Sequence, residues 1–189
     1  MAVFPYPFRS WIAGLIWMAF ICWAATASAQ YEIFIRFTPT NGAPALPGTS
    51  VDAKLPGRDG WSLIDGYTLG AQTDTAGIRA SFIDLETSGV MTSATPNIFE
   101  TLASGRSFAL VEIAVKRPGD TSAFLNYDLK PVRFSAQNWA GATGAPFPTE
   151  NLRMNYTALR IRYRPQNSDG SLGTLVTGQW NIVSGTPTF

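Results

Sequence analysis

The side chains that most enzymes use for nucleophilic or metal chemistry are nearly absent from this sequence. Its 189 residues include no histidine and a single cysteine, Cys22. Ser-His-Asp and Cys-His sites need an imidazole as the general base, and structural metal sites draw heavily on histidine and cysteine. Nucleophilic sites of these two kinds, and metal sites built on histidine or cysteine, are therefore excluded.

Carboxylates are the acid–base groups that remain. Asp84 and Glu86 lie two residues apart in a strand-like segment, so they share one face of that strand. A pair of carboxylates can hydrolyse a glycosidic bond, but charged pairs at strand ends usually lie on the solvated face of a half-buried strand. We favour the solvated face and predict no catalytic, cofactor-binding or metal-binding residues. A carboxylate glycosidase that uses Asp84, Glu86 or Glu150 is the enzymatic alternative.

Basic and aromatic residues suggest surfaces for binding. Arg160, Arg162 and Arg164 alternate along one face of a predicted strand. They form either an anion-lined surface or pore, or the wet face of an antiparallel sheet. The wet face is favoured for a monomer, and less so if subunits assemble and this face meets a partner's carboxylates. Three tryptophans indicate either a sugar-binding face or anchors of a core or an interface: Trp61, Trp139 and Trp180.

A single helix after the N-terminal segment organises the framework that must position these groups. Thr95 has the side chain of an N-cap, Pro96 suits the first helical position, and Gly105 can end the helix in a left-handed conformation. A helix this short needs tertiary contacts to be stable. We therefore expect its apolar face to be buried against a sheet, including Ile98, Phe99, Leu102 and Ala103.

The rest of the chain has the patterns of β-strands. Alternating or β-rich segments separated by Gly, Pro and Asn-Ser-Asp-Gly turn signals occur at 31–38, 61–72, 78–87, 107–117, 124–135, 152–164 and 175–183. The apolar positions change parity between Tyr156 and Leu159, as one bulge would produce. Two long loops are predicted, at 39–60 and 138–148. The fold class is therefore mostly β, a sandwich or barrel with one helix.

The N-terminus has the pattern of a secretory signal peptide at residues 1–29. Arg9 precedes an apolar stretch, Ala27-Ser28-Ala29 fits a cleavage site, and Gln30 would be the new N-terminus of a domain over 30–189. The apolar stretch is short for a membrane span, which needs about 20 residues. We therefore expect export to the periplasm or the extracellular space, with no stable membrane anchor. An uncleaved anchor and a misplaced start codon are the alternatives.

Net charge argues against nucleic acid as a partner. The formal net charge is +1, and without Arg9 the basic and acidic residues balance at 13 each. Nucleic-acid-binding domains show a clear basic excess.

Several motifs resemble the Hcp family, the haemolysin-coregulated tube proteins of type VI secretion. The resemblance covers about residues 31–183 and rests on Thr95-Pro96-Asn97-Ile98-Phe99, Ser104-Gly105, Lys116-Arg117, Glu150-Asn151-Leu152-Arg153-Met154-Asn155-Tyr156, Tyr163-Arg164-Pro165-Gln166, Asp169-Gly170 and Gln179-Trp180-Asn181-Ile182. The family's Gly-Glu-Ser motif is present only as Gly48-Thr49-Ser50 and is displaced by an insertion.

The resemblance implies an antiparallel β-barrel with one flanking helix. It also implies a non-catalytic subunit of homo-hexameric rings that stack into a hollow tube, without cofactors. The implied partners are further copies of the chain, effector proteins carried in the lumen and other type VI components. The loop at 39–60 would correspond to an extended arm that contacts neighbouring subunits. The alternative function is an exported monomeric β-barrel that binds a small ligand or an effector protein.

Deleting Pro39–Gly60 tests the predicted arm. A loop this long is rarely needed for folding alone, so the variant should remain folded but become monomeric. Light scattering would measure the mass, and circular dichroism the fold. Rings formed by the deletion variant would contradict the prediction.

Overall fold

The described part of the chain folds into one antiparallel β-sheet with a single short helix, as the sequence predicts. The computed structural model describes residues 31–41, 46–48, 60–73, 76–77 and 80–189. Its elements are β1 (Glu32–Pro39), β2 (Trp61–Ile64), β3 (Gly66–Thr73), β4 (Ala80–Val90), α1 (Thr95–Ala103), β5 (Phe108–Lys116), β6 (Leu125–Ala140), β7 (Thr149–Tyr163) and β8 (Val176–Asn181). The predicted signal peptide lies outside the described residues.

The sheet closes into a barrel because its two edge strands, β2 and β3, follow each other directly in the chain. Neighbouring strands follow the order β2-β1-β5-β6-β7-β4-β3, with β8 added to β7. β2 pairs with β1 and β3 pairs with β4, yet only Asp65 separates β2 from β3. The Asp65 amide donates to the Ser88 carbonyl oxygen at 2.8 Å, so the segment passes directly from one edge to the other. The result is the predicted barrel, with a break in the segment that we predicted as one strand.

One hydrophobic core fills the inside of the barrel. Inward positions come from β1, β4, β5, β6 and β7, and α1 adds Ile98. The alternation of apolar and polar residues explains which positions point inward, because residues two apart on a strand face the same side of the sheet. The largest inward side chains with almost no exposed surface are Ile35, Leu85, Phe108, Ile113, Leu129 and Met154.

The helix packs on the barrel with a narrower face than we predicted. Ile98 is 1% exposed, but Phe99 is 48% exposed and Ala103 is exposed as well, so the prediction that Phe99 and Ala103 are buried is wrong. Successive helical residues point about 100° apart, and a nine-residue helix at the rim of a barrel buries only one edge. Phe99 lies on the adjacent edge, where its ring contacts Trp139 with centroids 5.7 Å apart.

The ends of the helix also differ from the prediction in one respect. Gly105 has φ of 65°, in the left-handed region, as predicted. Ala94 rather than Thr95 is the N-cap, and no side chain caps the helix. Thr95 fails as a cap because its hydroxyl is engaged elsewhere, accepting from the Thr92 amide at 3.0 Å and donating to Glu150.

The predicted bulge in β7 is absent. Lys130 pairs with Ala158 and Val132 with Tyr156, without a register shift between them. Between Met154 and Ala158, β7 exchanges β4 for β8 as its second neighbour. Ala158 and Leu159 are both buried there, which produces the parity change without an extra residue. The register shift of β6 and β7 lies between Phe134 and Ala136 instead.

The second predicted loop is shorter than expected, and the described residues of the first loop contact the barrel. β6 continues to Ala140, so the second loop begins only after that residue. In the first loop, Leu46 packs against the core, and its amide donates to the Phe37 carbonyl oxygen at 2.9 Å. A Cβ on Gly48 would collide with the Trp61 carbonyl oxygen. A deletion that tests assembly alone should therefore keep residues 46–48 and remove only 49–59.

Two neighbouring helix substitutions should differ strongly in stability. Ile98→Ala should lower the free energy of unfolding by about 2–5 kcal/mol, because it leaves a cavity in the core. Phe99→Ala should cost about 1 kcal/mol, because it removes one aromatic contact at the surface. Urea denaturation of both variants measures the difference. Equal losses would show that the two side chains are buried alike.

Candidate functional site

A buried carboxylate attaches the helix to the barrel. Glu150, at the start of β7, is 6% exposed. One of its oxygens accepts from Gln137 Nε2 at 2.7 Å and Trp139 Nε1 at 3.0 Å, and the other accepts from the Thr95 hydroxyl at 3.1 Å. Gln137 Nε2 also donates to the Thr95 carbonyl oxygen at 3.2 Å. This Glu150 cluster joins β6, β7 and α1 through charge-assisted hydrogen bonds, which are stronger than neutral ones.

The candidate glycosidase carboxylates do not form one site. Asp84 and Glu86 are on the outer face of β4, where Asn155 Nδ2 donates to Asp84 at 3.2 Å and Arg153 forms an ion pair with Glu86. Hydrogen bonding to Glu86 raises the pKa of Arg153. Glu150 has the inward parity of the core residues on β7, so the sheet lies between it and the other two carboxylates.

Asp128 forms ion pairs with two of the three predicted surface arginines. It is 1% exposed, and its oxygens accept from Arg160 Nε at 2.7 Å and from Arg162 Nε and Nη2 at 2.9 and 2.7 Å. The carboxylate that pairs with Arg160 and Arg162 therefore comes from the same chain and not from a partner subunit. Arg164 makes no side-chain ion pair with a described residue. The cations do not form an open anion-binding row.

The same row of side chains continues across the outer face of the sheet. Arg36 pairs in register with Glu112, and Glu112 with Asp128. Arg36 Nε donates to Glu112 at 2.7 Å, and the Arg36 guanidinium lies 4.8 Å from the centre of the Trp61 ring. Glu112 is thus paired with Arg36, and Asp128 with Arg160 and Arg162. Both carboxylates and the three arginines of this ladder are joined in ion pairs, so it stabilises the sheet rather than marking a ligand site.

The three candidate tryptophans do not share a face for sugar binding. Trp61 is 4% exposed on β2. Trp139 and Trp180 are partly exposed but belong to β6 and β8, one at the helix end of the barrel and the other beside Leu159. They agree with the alternative interpretation as anchors of a core or a surface.

An apolar sheet face continues beyond the barrel on β7 and β8. Leu159, a core residue, pairs with Trp180, and the next residues of the same parity pair as Ile161 with Gly178 and Tyr163 with Val176. These side chains keep the inward orientation, but β4 no longer pairs with β7 at this level and they remain partly exposed. We call this the β7–β8 apolar face, formed by the exposed residues Ile161, Tyr163, Val176 and Trp180.

A second apolar surface surrounds the helix end of the barrel. Trp139 contacts Phe99, and the register of Ala140 with Thr149 and of Thr149 with Val90 brings the ends of β6, β7 and β4 together. We call it the helix-end aromatic surface, formed by Val90, Met91, Phe99, Trp139 and Phe147, all at least 39% exposed.

An open cleft of about 1230 Å³ lies beside β1, β2 and β3. Its walls include Tyr31, Leu63, Tyr67 and Tyr127, with Asp65 at its edge. The Tyr67 hydroxyl donates to the Tyr127 hydroxyl at 3.3 Å, and burial with this bond raises the pKa of Tyr67. We call this the tyrosine cleft. No feature of the sequence distinguished these tyrosines from core aromatics.

Neither a metal-binding cluster nor a membrane-spanning helix is found among the described residues. No cluster of three or more His, Cys, Asp or Glu side chains there could hold a metal ion. No helix among those residues is long and apolar enough to cross a membrane.

Removing the carboxylate of the Glu150 cluster should destabilise the protein. Glu150→Ala removes the acceptor that three side-chain donors share, and a hydrogen bond to a charged group contributes about 1.5–3 kcal/mol. Glu150→Gln keeps the shape and one acceptor oxygen, so its loss should be clearly smaller. Urea denaturation compares the two variants. An Ala variant as stable as the wild type would show that the helix is held by packing alone.

Comparisons with known proteins identify the fold. Residues 49–163, more than half of the chain, match the family model described as type VI secretion system effector, Hcp. Protein hcp1 of Pseudomonas aeruginosa is 28% identical over 102 residues, which cover 52% of this chain and 63% of that protein, less than two thirds of its length.

Two solved structures share the architecture over nearly their whole length. A type six secretion system protein has a TM-score of 0.72 and 22% identity, with 83% of this chain and 99% of that chain covered. Hcp1 from Salmonella typhimurium has a TM-score of 0.68 and 17% identity, with 84% and 99% covered. The family match and the shared barrel agree with the motifs found in the sequence, and this chain belongs to the Hcp family of type VI secretion proteins.

Proposed function

We propose that this protein is a non-catalytic building block that assembles into homo-hexameric rings, which stack into a tube associated with type VI secretion. Membership of the Hcp family and the shared barrel support this proposal. The stoichiometry of six comes from the family resemblance, whereas the surfaces for assembly can be argued from this chain.

The β7–β8 apolar face is the observation that carries the proposal. Val176 is 60% exposed and Tyr163 44% exposed, although both have the orientation of core residues on their strands. Contiguous exposed apolar surface rimmed by polar groups is typical of protein–protein contacts. A neighbouring subunit would complete the burial that β4 provides at the other half of β7.

The polar side chains support a structural role rather than catalysis. Glu150 holds the helix, Asp128 holds two arginines, and Glu86 is paired with Arg153. Each of these carboxylates has a structural partner, and the candidate acids lie on opposite faces of the sheet. A general acid and base need to reach one substrate from adjacent positions.

The proposed location is outside the cytoplasm, with effector proteins carried in the ring lumen. The family description as a secretion-system effector supports export, and residues 1–29 would supply the secretory signal. Intact-mass measurement of the protein recovered from the periplasm or the medium would test cleavage before Gln30. A retained N-terminal segment would contradict the proposed cleavage without affecting the assembly proposal.

Assembly is tested on residues 30–189 by light scattering, with negative-stain images of the same peak. The wild type should form rings of six. Val176→Glu should shift the mass to that of a monomer, because it places a charge within an apolar contact. Val183→Glu is the matched control, since Val183 is 79% exposed and lies outside the β7–β8 apolar face.

The outcomes separate the two functions. A wild type that stays monomeric at high concentration would overturn the ring proposal and favour the exported monomeric binding module. Rings formed equally by Val176→Glu would show that another surface makes the subunit contact. Melting curves of both variants exclude unfolding as the cause of any change in mass.

A further inference from the structure

The tyrosine cleft brings three phenol rings together. Tyr67 and Tyr127 meet with their ring planes at 62° and their centroids 5.3 Å apart. Tyr31, which is 58% exposed, lines the same cleft. Because the first two rings meet at an angle, the three tyrosines form an angled aromatic wall rather than a flat stack.

The Tyr67 hydroxyl stays protonated near neutral pH. Burial raises the pKa of Tyr67, and the hydrogen bond to Tyr127 and the electrostatic effect of Tyr127 and Tyr31 raise it further. The effect of Tyr31 also indicates that its hydroxyl lies near the other two. A neutral phenol presents an electron-rich ring face and an oxygen that accepts hydrogen bonds. These groups favour a cation or a hydrogen-bond donor over an anion.

The charged residues that line the cleft are both acidic. They are Glu32 and Asp65, and no lysine or arginine of the described chain lines it. Glu32 is already paired with Lys116, whose Nζ lies 3.0 Å from a Glu32 oxygen. The exposed Asp65 carboxylate forms no ion pair or side-chain hydrogen bond with a described residue. A cleft lined by one sign of charge attracts ions of the opposite sign.

We propose that the tyrosine cleft binds an organic cation, an ammonium group carried on a short apolar chain. Asp65 and the tyrosine ring faces would hold the charge, and Leu63 and Leu69 would contact the chain. Aromatic ring faces with a cation are the recurring basis of ammonium recognition. Apolar walls with a few convergent polar groups are typical of small-molecule sites.

This inference goes beyond the ring proposal and does not depend on it. None of the four residues that define the β7–β8 apolar face lines the cleft. The same chemistry could come from a free amine or from the lysine side chain of another protein. Choline is the probe for the first source, and lysine blocked at its α-amino and carboxyl groups is the probe for the second.

Saturation-transfer NMR on the purified protein tests the proposal. The method detects weak ligands of large particles, so assembly of the protein does not prevent the measurement. The choline methyl protons should receive saturation, and a titration gives the Kd. The matched probe is the uncharged alcohol in which carbon replaces the choline nitrogen. It should bind about fivefold more weakly, because it has the shape of choline without the charge.

Two variants of the cleft test the residues that would hold the cation. Asp65→Asn removes the charge and keeps the shape, and Tyr31→Ala removes an exposed ring. Each should weaken choline binding by about fivefold. Glu100→Gln is the matched control, since it removes an exposed carboxylate on α1 outside the cleft and should leave the Kd unchanged. Melting curves exclude unfolding of the variants.

The outcomes distinguish the sources of the cation and can overturn the proposal. Tighter binding of choline would indicate a free amine, and tighter binding of blocked lysine would indicate a basic side chain of a partner; both support a cation site. The proposal would be overturned by no saturation transfer to either cation, by equal affinity for the uncharged alcohol, or by a Kd that Asp65→Asn leaves unchanged. None of these results bears on ring assembly, and a wild type without rings would leave this inference intact.

Discussion

The carboxylate of Glu150 links the only helix of the described chain to the barrel. It accepts hydrogen bonds from three side chains, Thr95, Gln137 and Trp139, which belong to α1 and β6. A buried charge is tolerated only when such partners replace its hydration, and here they come from separate elements. The arrangement fixes the helix at one end of the barrel. It also determines that Phe99 and Trp139 face outward together.

Closure of the sheet sets the second constraint. Because the segment through Asp65 connects both edges, the barrel has an inside that must be apolar and an outside that is free to carry charge. The outer face carries the charged ladder that runs from Arg36 through Glu112 to Asp128 and its two arginines. Where β4 no longer pairs with β7, the inside face continues and is partly exposed. The β7–β8 apolar face thus follows from the way the barrel closes.

Much of the fold was predictable because it depends on local patterns. Alternation located the strands, and Gly105 marked the end of the helix. The wrong or missed predictions concerned side chains whose neighbouring sequence allows several different hydrogen-bond partners. Thr95 has the chemistry of a cap, but Glu150, 55 residues later, engages its hydroxyl instead. Asp128 resembled any charged strand residue, and Gln137 lay at the edge of a predicted loop, so their roles in binding arginines and Glu150 were missed.

The sequence alone determined the chemistry that this protein lacks and the elements that it forms. The absence of histidine and the alternation of apolar residues are properties of composition and neighbouring positions, which need no tertiary contact. Only the tertiary structure decided which apolar residues are covered. Phe99 and Ile98 are neighbours with similar hydrophobicity, yet one is exposed and the other buried. Burial depends on which distant element packs against a side chain, and that is fixed by barrel closure and the Glu150 cluster rather than by local pattern.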